Sequence, residues 1–280
     1  MSSSRWARAL TPFRIVVIGY VLILVAVMIL APVLAPADPL AQNVTKRLTV
    51  PLTDGYILGA DELGRDILSR LMYGARVELF IALGATLASM VLGTIIGLLG
   101  GYFGGLVETL TMRVIVDVIL AFPPIILALL AVTLYGPGPG TLIVVMGVLF
   151  APTFARITYG QTLSVKREEY VEAAIAFGAK TVTTMFRVVL PNASAPTIVR
   201  FSLTVAAAIL LESGLSYLGL GVVPPTPSWG SMVAQGSRYL SSSPHVLLVP
   251  GGVVVLTILA FGVLGDALRD VLDPKEKRRS

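Results

Sequence analysis

The 280-residue chain has no cysteine, a single histidine and few charged residues. Without cysteine it can form no disulfide and carry out no thiol chemistry, and His245 alone cannot build a histidine-based metal site. Charged residues make up 13% of the sequence, against about 25% in soluble domains, and 55% of the residues are hydrophobic. This composition excludes both a soluble domain and a protein with one membrane anchor. It predicts an all-α integral membrane protein.

Recognisable catalytic patterns are also missing. The sequence contains no HExxH, no serine, histidine and aspartate set for nucleophilic catalysis, and no GxxxxGK[ST] loop that would cradle phosphates. We therefore predict that the chain is not an enzyme and binds no metal or cofactor. If it uses nucleotide energy, another chain must bind the nucleotide. The net charge of +5 does not indicate nucleic acid, because the basic residues flank apolar runs and form no patch.

Six apolar runs are each long enough to cross a bilayer as a helix, which takes about 20 residues. The first is longer than the apolar part of a signal peptide, so we predict an uncleaved helix. Pro123 and Pro124 should kink the third run. We divide the chain into 1–76, with the first span and an outer segment, and 77–280, a core of five spans. The predicted spans are 13–34, 77–101, 107–134, 140–162, 197–220 and 246–267.

The distribution of basic residues predicts the orientation. With the N-terminus in the cytoplasm, most of the 21 lysine and arginine residues lie on the cytoplasmic side, in agreement with the positive-inside rule. An even number of spans then places the C-terminus in the cytoplasm too. We predict a multi-pass protein of a bacterial or archaeal cytoplasmic (inner) membrane, with residues 163–196 exposed to the cytoplasm.

A charged, helix-patterned segment at 168–192 interrupts the apolar runs. Two sets of residues at i, i+3, i+4 and i+7 predict two short amphipathic helices. Gly178 separates them as a C′ glycine would, and Pro191 is predicted to end the second helix. The first set is Tyr170, Ala173, Ala174 and Phe177, and the second is Val182, Met185, Phe186 and Val189.

This predicted hairpin has the features of a docking element for a cytoplasmic protein. Ala173 and Ala174 are small enough for a partner to approach closely, and Glu172 offers a carboxylate to basic residues on it. The first helix is too short to be stable alone in water, so tertiary contacts must support it. The alternative is a solvated connector that binds nothing, although connectors between helices are usually short and irregular.

Few ionisable residues fall within the predicted spans, where such groups usually face the bundle interior, a partner or water. Arg113 and Asp117 lie four residues apart and are predicted to neutralise each other on one helix face. Glu212 lies deeper, and it either lines a pathway or hydrogen-bonds across helices. Glu78 and Glu108 are predicted to lie at the membrane interface.

The hairpin sequence, EAAIAFG followed by VVLPN, resembles the EAA loop of ABC importer permeases. The residues in register are Glu172, Ala173, Ala174, Gly178, Leu190 and Pro191. Four further stretches resemble the C-type subunits of the dipeptide, oligopeptide and nickel permease family, namely 58–79, 112–129, 212–236 and 265–274. The resemblance covers nearly the whole chain from the first span onward. It implies the type I fold of binding-protein-dependent importer permeases, with six transmembrane helices and a cytoplasmic coupling hairpin.

The resemblance also implies partners. A homologous second permease would form the translocation pathway with this chain in the lipid membrane. Two cytoplasmic ABC ATPase subunits would bind ATP and Mg, and an extracytoplasmic solute-binding protein would deliver the substrate. The chain itself would bind no cofactor and catalyse no covalent step. Phe177 and Phe186 are then the predicted aromatic anchors of the hairpin on an ATPase.

Two segments outside the spans each allow two interpretations. Residues 58–76 are predicted to form an amphipathic helix with Asp61 as its N-cap. This helix either packs on the rim of the bundle, which we favour, or contacts another protein. The loop 222–245 is the predicted contact with the solute-binding protein, or else its Trp229 belongs to an interfacial aromatic belt.

Two other functional classes remain open: a stand-alone secondary transporter or channel, and a membrane enzyme or assembly factor. The hairpin favours the importer subunit over a secondary transporter, because only an importer subunit needs a docking element when its own nucleotide site is absent. The lack of catalytic groups disfavours an enzyme. Within the importer class we predict di- or oligopeptides as substrates, with glutathione or nickel complexes as the alternative.

Overall fold

The chain is a bundle of long helices. A computed structural model describes residues 11–272. Within that range, β-structure is limited to two isolated bridges in the segment 35–66. The helices are α1 (Pro12–Leu34), α2 (Ile67–Phe103), α3 (Gly105–Leu120), α4 (Pro124–Tyr135), α5 (Pro139–Val165), α6 (Glu169–Ala176), α7 (181–193), α8 (Ala195–Tyr217), α9 (Trp229–Ser237) and α10 (His245–Leu272).

The spans agree with an all-helical membrane fold. The helices α1, α2, α5, α8 and α10 are each long and apolar enough to cross a membrane. Helices α3 and α4 pass the same test only together, as a pair bent by 86°. The bend lies at Pro123 and Pro124, because neither proline has an N–H to continue the hydrogen-bond ladder. The predicted fold is confirmed, and its third span is sharply broken.

Helix α2 is 37 residues long, or about 55 Å at 1.5 Å per residue, and so exceeds a hydrocarbon core of roughly 30 Å. It begins at Ile67 because the Asp66 carboxylate caps it, accepting from the Ser69 N–H at 2.8 Å. The predicted helix at 58–76 with Asp61 as its N-cap is therefore wrong, since turns and bends occupy the chain up to Asp66. The boundary drawn at residue 76 falls inside α2.

Two clusters of buried apolar side chains hold the bundle. The larger one runs along the spans. The smaller one joins α2, α5, α6 and α7 at one end, where Asn192 of α7 and Arg269 of α10 also line a common cleft. At the start of α1, Arg14 forms an ion pair with Asp270 of α10 at 2.7 Å. We call this end of the bundle the hairpin end, and the opposite end, with residues 35–66 and α9, the cap end.

Candidate functional site

The predicted hairpin is formed by α6 and α7, which meet at Gly178. Gly178 has φ +83°, a left-handed conformation that glycine adopts without steric cost. Its N–H donates to the Ile175 carbonyl at 2.9 Å, and the Ala179 N–H donates to the Ala174 carbonyl at 3.0 Å. These two bonds satisfy carbonyls at the end of α6. Gly178 therefore ends the first helix as the sequence predicted.

Replacing Gly178 with alanine should weaken the hairpin through backbone strain alone. A Cβ at this position would meet no atom within 4 Å, so the left-handed φ is the only cost, about 1–2 kcal/mol. We expect Gly178→Ala to increase protease cleavage within 166–193, whereas Gly178→Asn, which tolerates this conformation better, should keep most of the protection. Equal cleavage of Gly178→Ala and the wild type would contradict the strain argument.

One side of the hairpin is buried against the bundle. Val171 and Val189 are fully buried and Met185 is nearly so. All three pack in the smaller cluster with the ends of α2 and α5, and each contributes about 1.5–3 kcal/mol by its burial. Lys166 adds a second link, because its Nζ donates to the Tyr102 carbonyl and lies 5.2 Å from the Tyr102 ring centroid. The hairpin is thus fixed to two long helices.

The opposite side of α6 faces outward. Phe177, at its end, is 92% exposed. Glu172 and Ala173 are exposed as well, and Ala174 is partly buried. This exposed phenyl ring, beside small side chains and a carboxylate, is accessible to another molecule. The face predicted for the first helix is therefore the outward face.

Tyr170 borders this face and is half exposed. Partial burial, and after it the neighbouring Glu168 carboxylate, raises the pKa of Tyr170. The phenol therefore stays protonated at physiological pH and offers a neutral hydroxyl to a partner.

The second helix of the hairpin differs from its predicted pattern. Val182 and Phe186 are exposed, whereas Met185 and Val189 are buried in the smaller cluster. The prediction of one common face was wrong, because Thr184–Val189 is π-helical. In a π-helix the wider turn keeps residues four apart on one side but moves residues three apart to different sides, which separates Val182 and Phe186 from Met185 and Val189. Phe186 remains available to a partner.

Pro191 does not end α7, contrary to the prediction. The helix runs on to Ala193, with Pro191 in the first turn of its last segment, where a proline fits because little is lost with its N–H. Pro191 is exposed, and Leu190 packs partly buried against the smaller cluster. Leu190 therefore helps to attach the hairpin to the bundle, whereas Pro191 lies on the hairpin surface.

The predicted pairing of Arg113 with Asp117 is wrong. Asp117 instead accepts a hydrogen bond from Arg156 of α5 at 2.8 Å. Residues Thr109–Val116 are π-helical, and the wider turn changes the direction in which Asp117 points from the helix axis. Asp117 links α3 to α5, and Arg113 is exposed.

Glu212 and Glu78 are both fully buried. Glu212 Oε1 accepts from Ser216 at 2.6 Å, a bond within α8 and not the predicted one across helices. Glu78 is enclosed by neighbouring helices: its Oε1 accepts from Ser213 of α8 at 3.2 Å, inside the bundle. The two glutamates lie toward the cap end, away from the hairpin.

The cap end is tied together by buried charges. The Asp61 carboxylate accepts from Arg65 Nε at 2.6 Å and lies 3.3 Å from Arg70 Nε. Both arginines also reach Gln235 of α9, at 3.4 and 3.5 Å. The segment before α2 therefore packs on the rim of the bundle, as favoured, although as turns and not as a helix.

Trp229 does not belong to an aromatic belt. Its side chain is fully buried, and its Nε1 donates to the Leu71 carbonyl at 3.1 Å. The ring occupies the space that a side chain at Gly74 would need. The exposed positions of the predicted contact loop are 223–226, 237–238, 240–242 and 244.

A seam of small residues between α2 and α5 was missed at the sequence level. Gly93, Gly97 and Gly101 lie four apart on α2 and face Ala151 and Ala155 of α5, together with nearby threonines. A Cβ on any of these glycines would clash with α5. Spacing of small residues by four is the pattern by which membrane helices pack closely. It is readable in GTIIGLLGG at 93–101 and could have been found there.

The site is suited to docking. Within residues 11–272, no group of three or more histidine, cysteine, aspartate or glutamate side chains could hold a metal ion. The outward face instead combines exposed aromatic rings, small side chains and the carboxylates of Glu169 and Glu172, all carried on a hairpin that is packed against the bundle. Groups of this kind bind protein surfaces through burial and charge pairing.

The described residues form an apolar helical bundle that carries a two-helix hairpin at one end. Residues 90–278 match the family described as binding-protein-dependent transport system inner membrane component, and the chain belongs to this family. The family and the multi-pass membrane character predicted from the sequence are confirmed.

Known relatives match over nearly their whole length. The glutathione transport system permease protein GsiD of Pectobacterium atrosepticum is 39% identical, over 97% of this chain and 90% of its own. The dipeptide transport system permease protein DppC of Bacillus subtilis is 41% identical, over 92% and 81%. Among solved structures, the inward-facing MetNI methionine ABC transporter matches with a TM-score of 0.54 and 22% identity, over 71% of this chain and 96% of that chain. This last likeness supports the fold alone.

Proposed function

We propose that this chain is a non-catalytic permease subunit of an ATP-driven ABC importer for di- or oligopeptides. It forms the pathway with a homologous second permease in the lipid membrane. Two ATPase subunits, which bind the ATP and Mg, act at the hairpin end. A solute-binding protein acts at the cap end. In this arrangement the hairpin end faces the cytoplasm, in agreement with the distribution of basic residues.

The observation that carries this proposal is the division of the hairpin into a fixed and an exposed side. Phe177 is 92% exposed, whereas Val171 on the same helix is fully buried against the bundle. A solvated connector would not combine firm attachment with an exposed aromatic ring. A docking element needs both the exposed side and the buried side, because a partner must bind it and its motion must reach the spans.

These contacts would couple ATP hydrolysis to movement of the spans. An ATPase that binds the outward face of α6 and changes position would move the hairpin with it. Because Met185 and Val189 are packed against the ends of α2 and α5, that movement reaches two spans directly. A ligand drives such a change only if it favours one conformation over the other, so the hairpin must have different positions in the two states.

The path would open at the hairpin end in a cleft of about 550 Å³ between α5, α8 and α10. Its lining includes the polar side chains of Gln161, Asn192, Arg200 and Asp266. Polar groups in an otherwise apolar bundle mark a wet surface. This cleft suits the passage of a peptide, which carries charges and backbone polar groups.

The names of the relatives support short peptides as the substrate class. Dipeptide and glutathione permeases are both among them, and glutathione is itself a tripeptide. A nickel complex stays the alternative. Mass spectrometry of the solute retained by the co-purified binding protein identifies the substrate: a peptide supports the proposal, and a metal complex without peptide overturns the proposed substrate class.

Reversing the charge at Glu172 tests the docking. Glu172 is exposed, so Glu172→Lys should leave the amount of chain in the membrane unchanged. It should abolish uptake into proteoliposomes while the ATPase subunits still hydrolyse ATP, because a lysine repels the basic residues that the carboxylate is proposed to meet.

Glu172→Asp is the matched control, since it keeps a carboxylate at the same exposed position. It should leave the ratio of uptake to hydrolysis unchanged. Normal transport by Glu172→Lys, or purification of the intact chain without any ATPase in mild detergent, would count against the proposed function.

A further inference from the structure

Two glutamates from different helices meet inside the bundle. Glu78 of α2 and Glu212 of α8 are both 0% exposed, and their carboxyl groups lie within hydrogen-bonding reach of each other. Neither group takes part in the hairpin or in the proposed docking. Buried carboxyl groups in such contact require an explanation, because isolated charges are rarely buried without a partner.

Each carboxyl group has a serine donor on one oxygen and none on the other. Glu78 Oε1 accepts from Ser213, and Glu212 Oε1 accepts from Ser216. Ser216 in turn accepts from the Val222 N–H at 3.0 Å, which ties it to the loop after α8. The remaining oxygens, Glu78 Oε2 and Glu212 Oε2, are buried and have no donor.

No cation compensates the pair among the described residues. Neither glutamate takes part in any of the ion pairs, and α9, which packs here, carries no ionisable side chain. The charged groups on the other packed helices lie elsewhere. Three of the arginines are in ion pairs, namely Arg14 with Asp270, Arg70 with Asp61 and Arg156 with Asp117. Arg76 is exposed, and Arg200 and Asp266 line the hairpin-end cleft. His245 packs on Gly59.

Two carboxylates in contact inside an apolar bundle repel strongly, because the low local dielectric screens them little. A single proton removes the repulsion and gives one of the two donorless oxygens a hydrogen to donate to the other. We propose that Glu78 and Glu212 share one proton and that this proton forms a hydrogen bond joining α2 to α8 near the cap end.

A shared proton makes the contact between α2 and α8 depend on pH. In the folded chain the pair holds one proton, whereas in the unfolded chain both carboxyls are ionised at neutral pH. The folded state therefore binds more protons, and its stability should fall as the pH rises. Any movement that separates α2 from α8 would also have to release the proton or keep it on one side chain.

Infrared spectroscopy of the full-length chain in lipid nanodiscs, with the subunits that co-purify, tests the proposal directly. A protonated carboxylic acid has a C=O stretching band that a carboxylate lacks. We expect this band in the wild type at about pH 7, where exposed carboxyls are ionised. We expect it to be lost in Glu78→Gln, because the amide can donate to the Glu212 carboxylate in place of the proton. Glu168→Gln, at an exposed glutamate, should leave the band unchanged.

A stability measurement covers the case in which a variant folds poorly. Between about pH 6 and about pH 9, the melting temperature of the wild type should fall more steeply than that of Glu78→Gln, by the equivalent of one proton. A wild type without the band would overturn the proposal. So would a band that persists in Glu78→Gln, because Glu212 would then hold a proton without sharing it, and so would equal slopes in the two proteins.

Discussion

Replacement of Phe177 by alanine should cut ATPase binding and uptake by more than tenfold while leaving the chain itself stable. The ring is 92% exposed, so its removal should change the free energy of unfolding by no more than about 0.5 kcal/mol. In the proposed assembly the same ring is buried by a partner, where loss of an aromatic anchor costs about 2 kcal/mol or more, or roughly 30-fold in affinity. Co-purification of the ATPase and uptake measure the effect.

The control for Phe177→Ala is Phe80→Ala, which removes an exposed ring from α2 at a position in the spans. It should leave ATPase binding unchanged. If both variants lose the ATPase equally, a general loss of apolar surface would explain the result. If Phe177→Ala keeps full binding, the hairpin tip is not an anchor.

A valine at Gly97 should disrupt the bundle. The Cβ of any side chain there would meet the Ala155 carbonyl oxygen and, at 2.8 Å, the Tyr159 N. These are backbone atoms of α5 and cannot rotate away, so the two helices must separate. Overpacking typically costs 1–3 kcal/mol, which corresponds to a fall of about 2–12 °C in melting temperature for a chain of this size. Thermal unfolding in detergent and uptake would both report the loss.

Gly262→Val serves as the matched control, because a Cβ at Gly262 in α10 meets no atom within 4 Å. The same residue change in another spanning helix should leave the melting temperature nearly unchanged. A Gly97→Val chain as stable as this control would show that α2 and α5 are not packed in this way.

The spans could be predicted because a long enough run of apolar residues is sufficient to identify one. The exact ends of the helices depend on local contacts. Helix α2 starts at Ile67 through the carboxylate of Asp66, whereas the sequence pattern predicted Asp61 as the cap. Likewise, the prolines at 123 and 124 predict a kink, but its 86° angle depends on how α4 packs against α5.

In the hairpin, the sequence predicted the face of α6 and the role of Gly178, since both depend on local periodicity and backbone conformation. The sequence prediction failed where the helix changed from α-helical to π-helical. The π-helical turns at Thr109–Val116 and Thr184–Val189 moved Asp117 onto Arg156 and divided the apolar face of α7. Spacing rules assume 3.6 residues per turn, and no feature of the apolar residue pattern indicated a wider turn.

The length of α2 determines how far one end of the helix moves when the helix tilts about the other. With no proline between Ile67 and Phe103, it is a continuous rod about 55 Å long, with Tyr102 held at the hairpin and Gly74 in contact with Trp229 near the other end. When a helix tilts as a unit, a small displacement near one end produces a larger one at the other end. A tilt of roughly 5° about the foot moves the top by roughly 5 Å over this length, enough to pull a layer of interlocked side chains out of contact.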